Sequence, residues 1–385
     1  MVSGDGSPAA PERAAHAFGL DMLRGVAALG VLFFHCSSRF DVAALFPHGY
    51  LAVDFFFVLS GFVIARAYEA RIASGALRVG PFLVMRAVRL MPLIVLGTLL
   101  AGVIELGRPG IVDRPAHLAD TAYALLLGSV LVPILQTTTL QPIVFPLNGP
   151  AWSLFLEAIA NVVFAVWAWS RLGIRGLVPI VGLSALALLW GVHRHGTIDL
   201  GSLPDTFPLG FARVGWSFIA GLVLYRLRER APRVPFVVPA FLLVSIMVVP
   251  ATAGLLNQVF DVVCVFVLLP WITWAASPVR FGAFGQRLST WSGNLSYPIY
   301  ALHYPMLRCF GVISSGLHLS MAGRLGVIAV ATLAVLLVSA CAYAWFDVPV
   351  RRWLARRLVS RRAGAGAGHA RPGPAGDAPV PGQPA

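Results

Sequence analysis

The chain has 385 residues, of which 58% are hydrophobic and only 12% charged, about half the charged share of an ordinary soluble domain. Its 29 basic residues, all arginine, exceed 16 acids to give a net charge of +13, but they stand in short runs at the ends of apolar blocks, as in cytoplasmic membrane loops. A soluble enzyme, a disulfide scaffold, a disordered chain and a nucleic-acid binder, which needs a basic patch on a folded surface, are excluded.

Eleven apolar blocks follow one another at about 19–38, 48–66, 90–106, 119–135, 153–170, 176–192, 208–225, 235–254, 257–276, 293–312 and 322–346. A spanning helix needs about 20 apolar residues, so the fold class is all-α, a polytopic membrane helical bundle. Arginine placement tests how many blocks cross. If all eleven cross with the N-terminus inside, most arginines fall on the outer side. If 119–135 does not cross, about three-quarters fall on the cytoplasmic side, as loop-charge bias requires. That block is short, ends at Pro133 and leads into a polar stretch up to Pro150. It is therefore expected as a re-entrant or interfacial segment on the outer side, leaving about ten transmembrane helices with both termini cytoplasmic. Residues 1–17 are expected as a cytoplasmic tail without a signal-peptide core, 18–357 as a single transmembrane domain, and the Gly-, Ala- and Pro-rich 358–385 as a disordered cytoplasmic tail. There is no fixed-period repeat and no second soluble domain. Cys36, Cys264, Cys309 and Cys341 lie in apolar segments without metal-ligand spacing, and are expected as inert thiols.

Ionisable residues inside apolar blocks cost on the order of 2.5–3.5 kcal/mol each at a helix centre, which singles out Arg24, His35, Asp54, Glu157, Asp261 and His303. Arg24 and His35 are 11 residues apart, three turns plus about 20°, so they share a helix face, about 16 Å apart along the axis. Taken singly, Arg24 snorkels to inner headgroups, and Asp54 and Glu157 are helix-start residues. His35, Asp54, Glu157 and Asp261 all fall in outer halves of their blocks, however, and one shared polar cavity is expected. His303 reads equally as a site residue or a structural hydrogen bond. Arg86 and Arg89, at i and i+3 ahead of Pro92, can offer two guanidinium forks to one phosphate or simply anchor the loop inside.

These residues stand in a pattern that resembles the acyltransferase 3 family of integral-membrane O-acyltransferases. The segment Leu20–Gly25 followed by His35 resembles its opening, an Arg or Lys, ten residues, then a His. The stretch Gly49–Ile64, then Phe82, Arg86, Arg89 and Pro92, then Pro150–Leu154 with Glu157, then Ser296–Pro305 and Phe346–Pro349 resemble further family segments in family order. Met22, Ala158 and Asp347 depart from the usual Gly, Glu and Glu. The resemblance covers roughly 17–357 and does not include the periplasmic esterase-like domain of larger members.

The resemblance implies transfer of an acyl group, usually acetyl, from cytoplasmic acyl-CoA to a hydroxyl of a surface glycan, a lipid-linked sugar or an exported small molecule, in a bacterial inner membrane. It makes His35 the catalytic base and Arg24, Arg86 and Arg89 the groups that bind the acyl-CoA phosphates. Glu157 or Asp54 is expected to orient His35, and Trp152, Ser153 and His303 to contact substrate. The expected partners are acyl-CoA, a carbohydrate or other hydroxylated acceptor, and membrane lipids; no metal and no nucleic acid are expected. A near-neutral imidazole suits proton transfer at physiological pH, although an acyl-imidazole intermediate is the variant. The competing class is a transporter of a glycan, lipid or acyl compound, against which stands the lack of matched broken helices in two halves.

Overall fold

Each apolar block folds into a helix, and no strand occurs among the described residues of the computed structural model, 16–42, 45–108, 110–314 and 316–359. Most of both expected tails, 1–15 and 360–385, lies outside the described residues. In chain order the helices are α1 (Phe18–Phe40), α2 (Leu51–Ala73), α3 (Val79–Leu106), α4 (Arg114–Ser129), α5 (Ala151–Ser170), α6 (Val178–His195), α7 (Phe207–Arg226), α8 (Val237–Val248), α9 (Leu255–Ala276), α10 (Ala283–Ser314) and α11 (Met321–Leu358). The helices α1, α2, α3, α5, α6 with its preceding turn, α7, α9 and α11 are long and apolar enough to cross a membrane. The protein is an all-α, multi-pass membrane bundle.

The other three depart from a plain span for different reasons. Helix α10 runs 32 residues, about 48 Å at 1.5 Å per residue, but it carries buried Ser289, Ser296, His303 and Arg308, which lower its hydropathy. The block expected at 235–254 is helical over only 12 residues of α8, about 18 Å. It stops at Val249, whose ψ of 133° is the extended setting that a following proline, here Pro250, favours.

Helix α4 enters and leaves the bundle from one end. The Asp113 side chain accepts from Ala116 N at 3.0 Å, capping the helix. From there α4 descends along α3, with His117 Nε2 3.2 Å from Glu105 Oε1 and Gly128 packed on Thr98. The chain then turns back, so that Thr139 N donates to Asp120 Oδ2 at 2.6 Å and Ile134 N to Val144 O at 2.8 Å. This is the expected re-entrant segment; much of 132–142 is exposed, and protein covers the non-helical backbone over 144–150. It returns inward over 143–150, where Asn148 Nδ2 donates to Ala301 O at 3.0 Å.

Two parallel helix pairs organise the rest. Helix α1 lies along α10, with Ser292 Oγ donating to Met22 O at 3.1 Å and the His35 and His303 rings 5.2 Å apart. Helix α2 lies along α7 and is tied at three levels: Asp54 to Arg213, Gly61 and Gly221 at the closest approach, and Glu69 to Arg226. A Cβ on Gly61 would meet Phe218 O at 1.9 Å, and one on Gly221 would meet Val58 O at 1.9 Å. Only glycine permits that backbone contact, the usual device where lipid gives no hydrophobic drive between helices. One end of the bundle carries the arginine-rich segments 66–89, 171–175, 226–233 and 280–287. The other carries 40–48, 107–150 and 196–206.

Candidate active site

A cavity of about 250 Å³ lies between α1, α2, α3, α5 and α10, in the half of the bundle nearer the arginine-rich end. Arg24, Arg86 and Arg89 line it, with Glu157 as the acid among its lining residues. Arg86 Nη2 donates to Glu157 Oε1 at 2.9 Å, and Ser60 Oγ donates to the same oxygen at 2.8 Å. Arg24 reaches Asp21 at 3.2 Å, and the Arg89 guanidinium sits 5.7 Å from the Tyr297 ring centre. Three guanidinium groups against one lining carboxylate leave the cavity positive. It therefore suits an anion, and the forked geometry of arginine suits phosphate in particular. A second recess of about 390 Å³ on the same side is lined by Arg89, Arg351 and Arg352, so Arg89 faces both. At the deep end of the cavity Ser153 Oγ and Tyr300 hydroxyl lie 2.6 Å apart.

His35 lies in a different pocket, of about 200 Å³, with Ser38, Arg39, Tyr304 and Leu307. Its ring is half-buried and packs against His303 at 5.2 Å and Tyr304 at 5.4 Å, so it faces protein rather than lipid. His303 is fully buried. Its Nδ1 lies 2.9 Å from Tyr300 O and 3.0 Å from Ile299 O, which makes Nδ1 the protonated nitrogen, while Nε2 has no partner. Tyr300 lines the arginine cavity, and its ring lies 5.9 Å from that of His303. The order from one pocket to the other is thus Tyr300, His303, His35. Because α1 is unbroken from Phe18 to Phe40, Arg24 and His35 keep their axial offset of about 16 Å.

The single shared cavity expected for His35, Asp54, Glu157 and Asp261 does not form; each of the four has its own partners. Asp54 is fully buried against Arg213, which donates from Nη2 to Oδ2 at 2.6 Å and from Nε to Oδ1 at 3.2 Å. Both its oxygens are taken, so it does not orient His35. Glu157 also has no contact with His35. Helix α5 begins deep in the bundle because 143–150 carries the chain inward without a helix, and this brings Glu157 level with Arg86 rather than into the outer half. Trp152 turns from the cavity to stack under Arg213, 5.3 Å from its guanidinium. Asp261 accepts from Tyr50 hydroxyl at 2.7 Å and Ile198 N at 3.0 Å, tying together the end of the bundle opposite the arginine-rich segments.

Sequence reasoning missed Arg213, Arg308 and Glu105, all buried, and the tyrosines 297, 300 and 304. The three ions carried a readable signal, since each is a charge within or beside an apolar block and needs a counter-ion there. The tyrosines carried none, because aromatic residues are ordinary in such helices.

Residues 18–344 match the family model described as an acyltransferase domain. Protein 2 in picA locus of Rhizobium radiobacter is 39% identical over 180 residues, which cover 44% of this chain and 91% of that protein. No solved structure matches. A helical membrane bundle whose chain matches this domain from α1 into α11 belongs to the acyltransferase 3 family and is a membrane acyltransferase.

Proposed function

We propose that the protein transfers an acyl group, acetyl in the first instance, from acyl-CoA to a hydroxyl of a surface glycan, a lipid-linked sugar or an exported small molecule, with His35 as general base. The observation that carries this reading is the ordered row Tyr300, His303, His35, which links an arginine-lined cavity to a half-buried imidazole. Arg24, Arg86 and Arg89 bind the donor phosphates, assisted by Arg351 and Arg352 in the adjoining recess. The thioester arm extends from there along the α1–α10 seam toward Ser153 and Tyr300. His35 takes the proton of the acceptor hydroxyl, the oxygen attacks the thioester carbonyl, the C–S bond breaks, and the thiolate leaving group recovers a proton as free CoA. Glu157 fixes Arg86, and His303, its Nδ1 held by backbone carbonyls, backs the His35 ring. The protein is a bacterial inner-membrane enzyme with both termini cytoplasmic, which puts the arginine-rich end on the side that supplies acyl-CoA.

The test is His35→Ala in purified protein given labelled acetyl-CoA and a glycan acceptor. Transfer is expected to vanish while insertion, yield and acetyl-CoA binding persist; full transfer in this variant would overturn the reading.

A further inference from the structure

The end of the bundle opposite the arginine-rich loops holds a compound pocket. The His35 pocket shares Arg39 with a neighbouring one of about 290 Å³, lined also by Glu105, Arg108, Gln141 and Arg308. A hydrogen bond joins the two, from Tyr304 hydroxyl to Gln141 Oε1 at 2.5 Å. The charge balance is lopsided. Glu105 is buried and already satisfied, with one oxygen held by Arg308 and the other by Arg108 at 3.1 Å. Arg308 is anchored further by donating to Pro146 O at 2.9 Å. Arg39 has no acid within ion-pair distance among the described residues, since the nearby Asp41 is paired to Arg324 at 2.7 Å. The pocket thus offers one uncommitted guanidinium, flanked by the Tyr304 hydroxyl, the Gln141 amide and the exposed Ser38 hydroxyl. This is the lining of a site for a polyol that also carries negative charge.

Position along α1 adds a distance. Arg39 is four residues beyond His35, on the same helix face and about 6 Å along the axis. We propose that this compound pocket is the acceptor site, and that it selects a hydroxylated acceptor bearing a carboxylate or phosphate, held by Arg39 with the reacting hydroxyl about one helical turn away at His35. An anion and a hydroxyl at that spacing belong to the same sugar ring or to adjacent ones. The proposal rests on His35 being the base, but it is read out by binding alone.

The experiment uses the full chain in detergent without acyl donor, and measures affinity for three hexasaccharide probes: maltohexaose, hexagalacturonate, and maltohexaose 1-phosphate. At least one anionic probe is expected to bind about 10-fold or more tightly than maltohexaose at low salt, with the gap closing at high salt as for any charge contact open to water. A uronate-only or phosphate-only preference tells which anion the site takes. Arg39→Gln is expected to erase the preference while leaving acetyl-CoA binding unchanged, and Arg39→Lys to retain most of it. Arg108→Gln, at a half-exposed side chain, is expected to reduce it in the same direction. Equal binding of all three probes, or a preference that survives Arg39→Gln, overturns the proposal. Loss of transfer by His35→Ala is scored separately, so failure of the acceptor assignment and failure of the base assignment are distinguishable.

Discussion

Replacing Asp54 by asparagine separates a structural carboxylate from a catalytic one. Asp54 and Arg213 are both completely buried and joined by two hydrogen bonds. Removing one member of such a pair leaves a charge stranded in a dry interior, which costs about 3–5 kcal/mol. Arg213 keeps bonds to Leu200 O at 2.9 Å and Tyr50 O at 3.3 Å, and has Asp199 at 3.6 Å, so the lower end, about 3 kcal/mol, applies. That is a fall of roughly 150-fold in the folded-to-unfolded ratio. With an unfolding entropy of about 2.1 cal/mol/K per residue, the midpoint drops by at least ~4 °C. Helices that persist in detergent make the unfolding entropy smaller and the drop larger. Tryptophan fluorescence during heating of the solubilised protein measures it, alongside acyl transfer per folded molecule. Replacing the pair together, Asp54→Leu with Arg213→Met, is expected to recover most of the loss, because apolar residues of similar volume often substitute for buried ion pairs without cost. An Asp54→Asn protein with an unchanged midpoint and no acyl transfer would refute the structural reading and return Asp54 to the chemistry.

Four further outcomes are expected. His35→Gln lowers acyl transfer by about 10²–10⁴-fold, the usual contribution of a positioned base, with an unshifted melting midpoint. Arg89→Ala, which breaks no ion pair among the described residues, raises the KM for acetyl-CoA while leaving the acceptor KM unaltered in initial-rate assays. Tyr300→Ala removes a ring between the two pockets, and is expected to raise CoA release in the absence of acceptor; Tyr300→Phe, which keeps the ring but loses the contact with Ser153, is not. Gly221→Val sharply lowers the monodisperse fraction on size exclusion, since its Cβ has no room beside Val58 O, whereas Gly182→Val on α6, where nothing lies within 4 Å, leaves it intact.

The membrane architecture was legible because length and apolarity act locally: a block such as 153–170 states its own helix. Even the re-entrant segment could be read, because a short apolar block that ends at Pro133 and leads into a polar stretch does not fill a span. What stayed hidden depends on pairs distant in sequence. Asp54 and Arg213 are 159 positions apart, and nothing in either neighbourhood names the other. Arg213 alone declared that an acid had to lie opposite it, without saying which. The depth of Glu157 was misjudged because eight non-helical residues, 143–150, carry the chain inward where a helix start at the membrane surface was expected. The Arg24–His35 relation was readable because a single uninterrupted helix fixes it.

The segment 107–150 is held by groups synthesised far later. Asn148 leans on the carbonyl of Ala301, Gln141 on Tyr304, and both Glu105 and Pro146 on Arg308. During biosynthesis none of these partners exists until the ribosome has passed more than 150 further codons. The stretch must therefore wait, hydrated, at the membrane surface, and Glu105 with it, until α10 arrives to receive them. A nascent chain halted before α10 would leave Glu105 without Arg308, held by Arg108 and His117 alone.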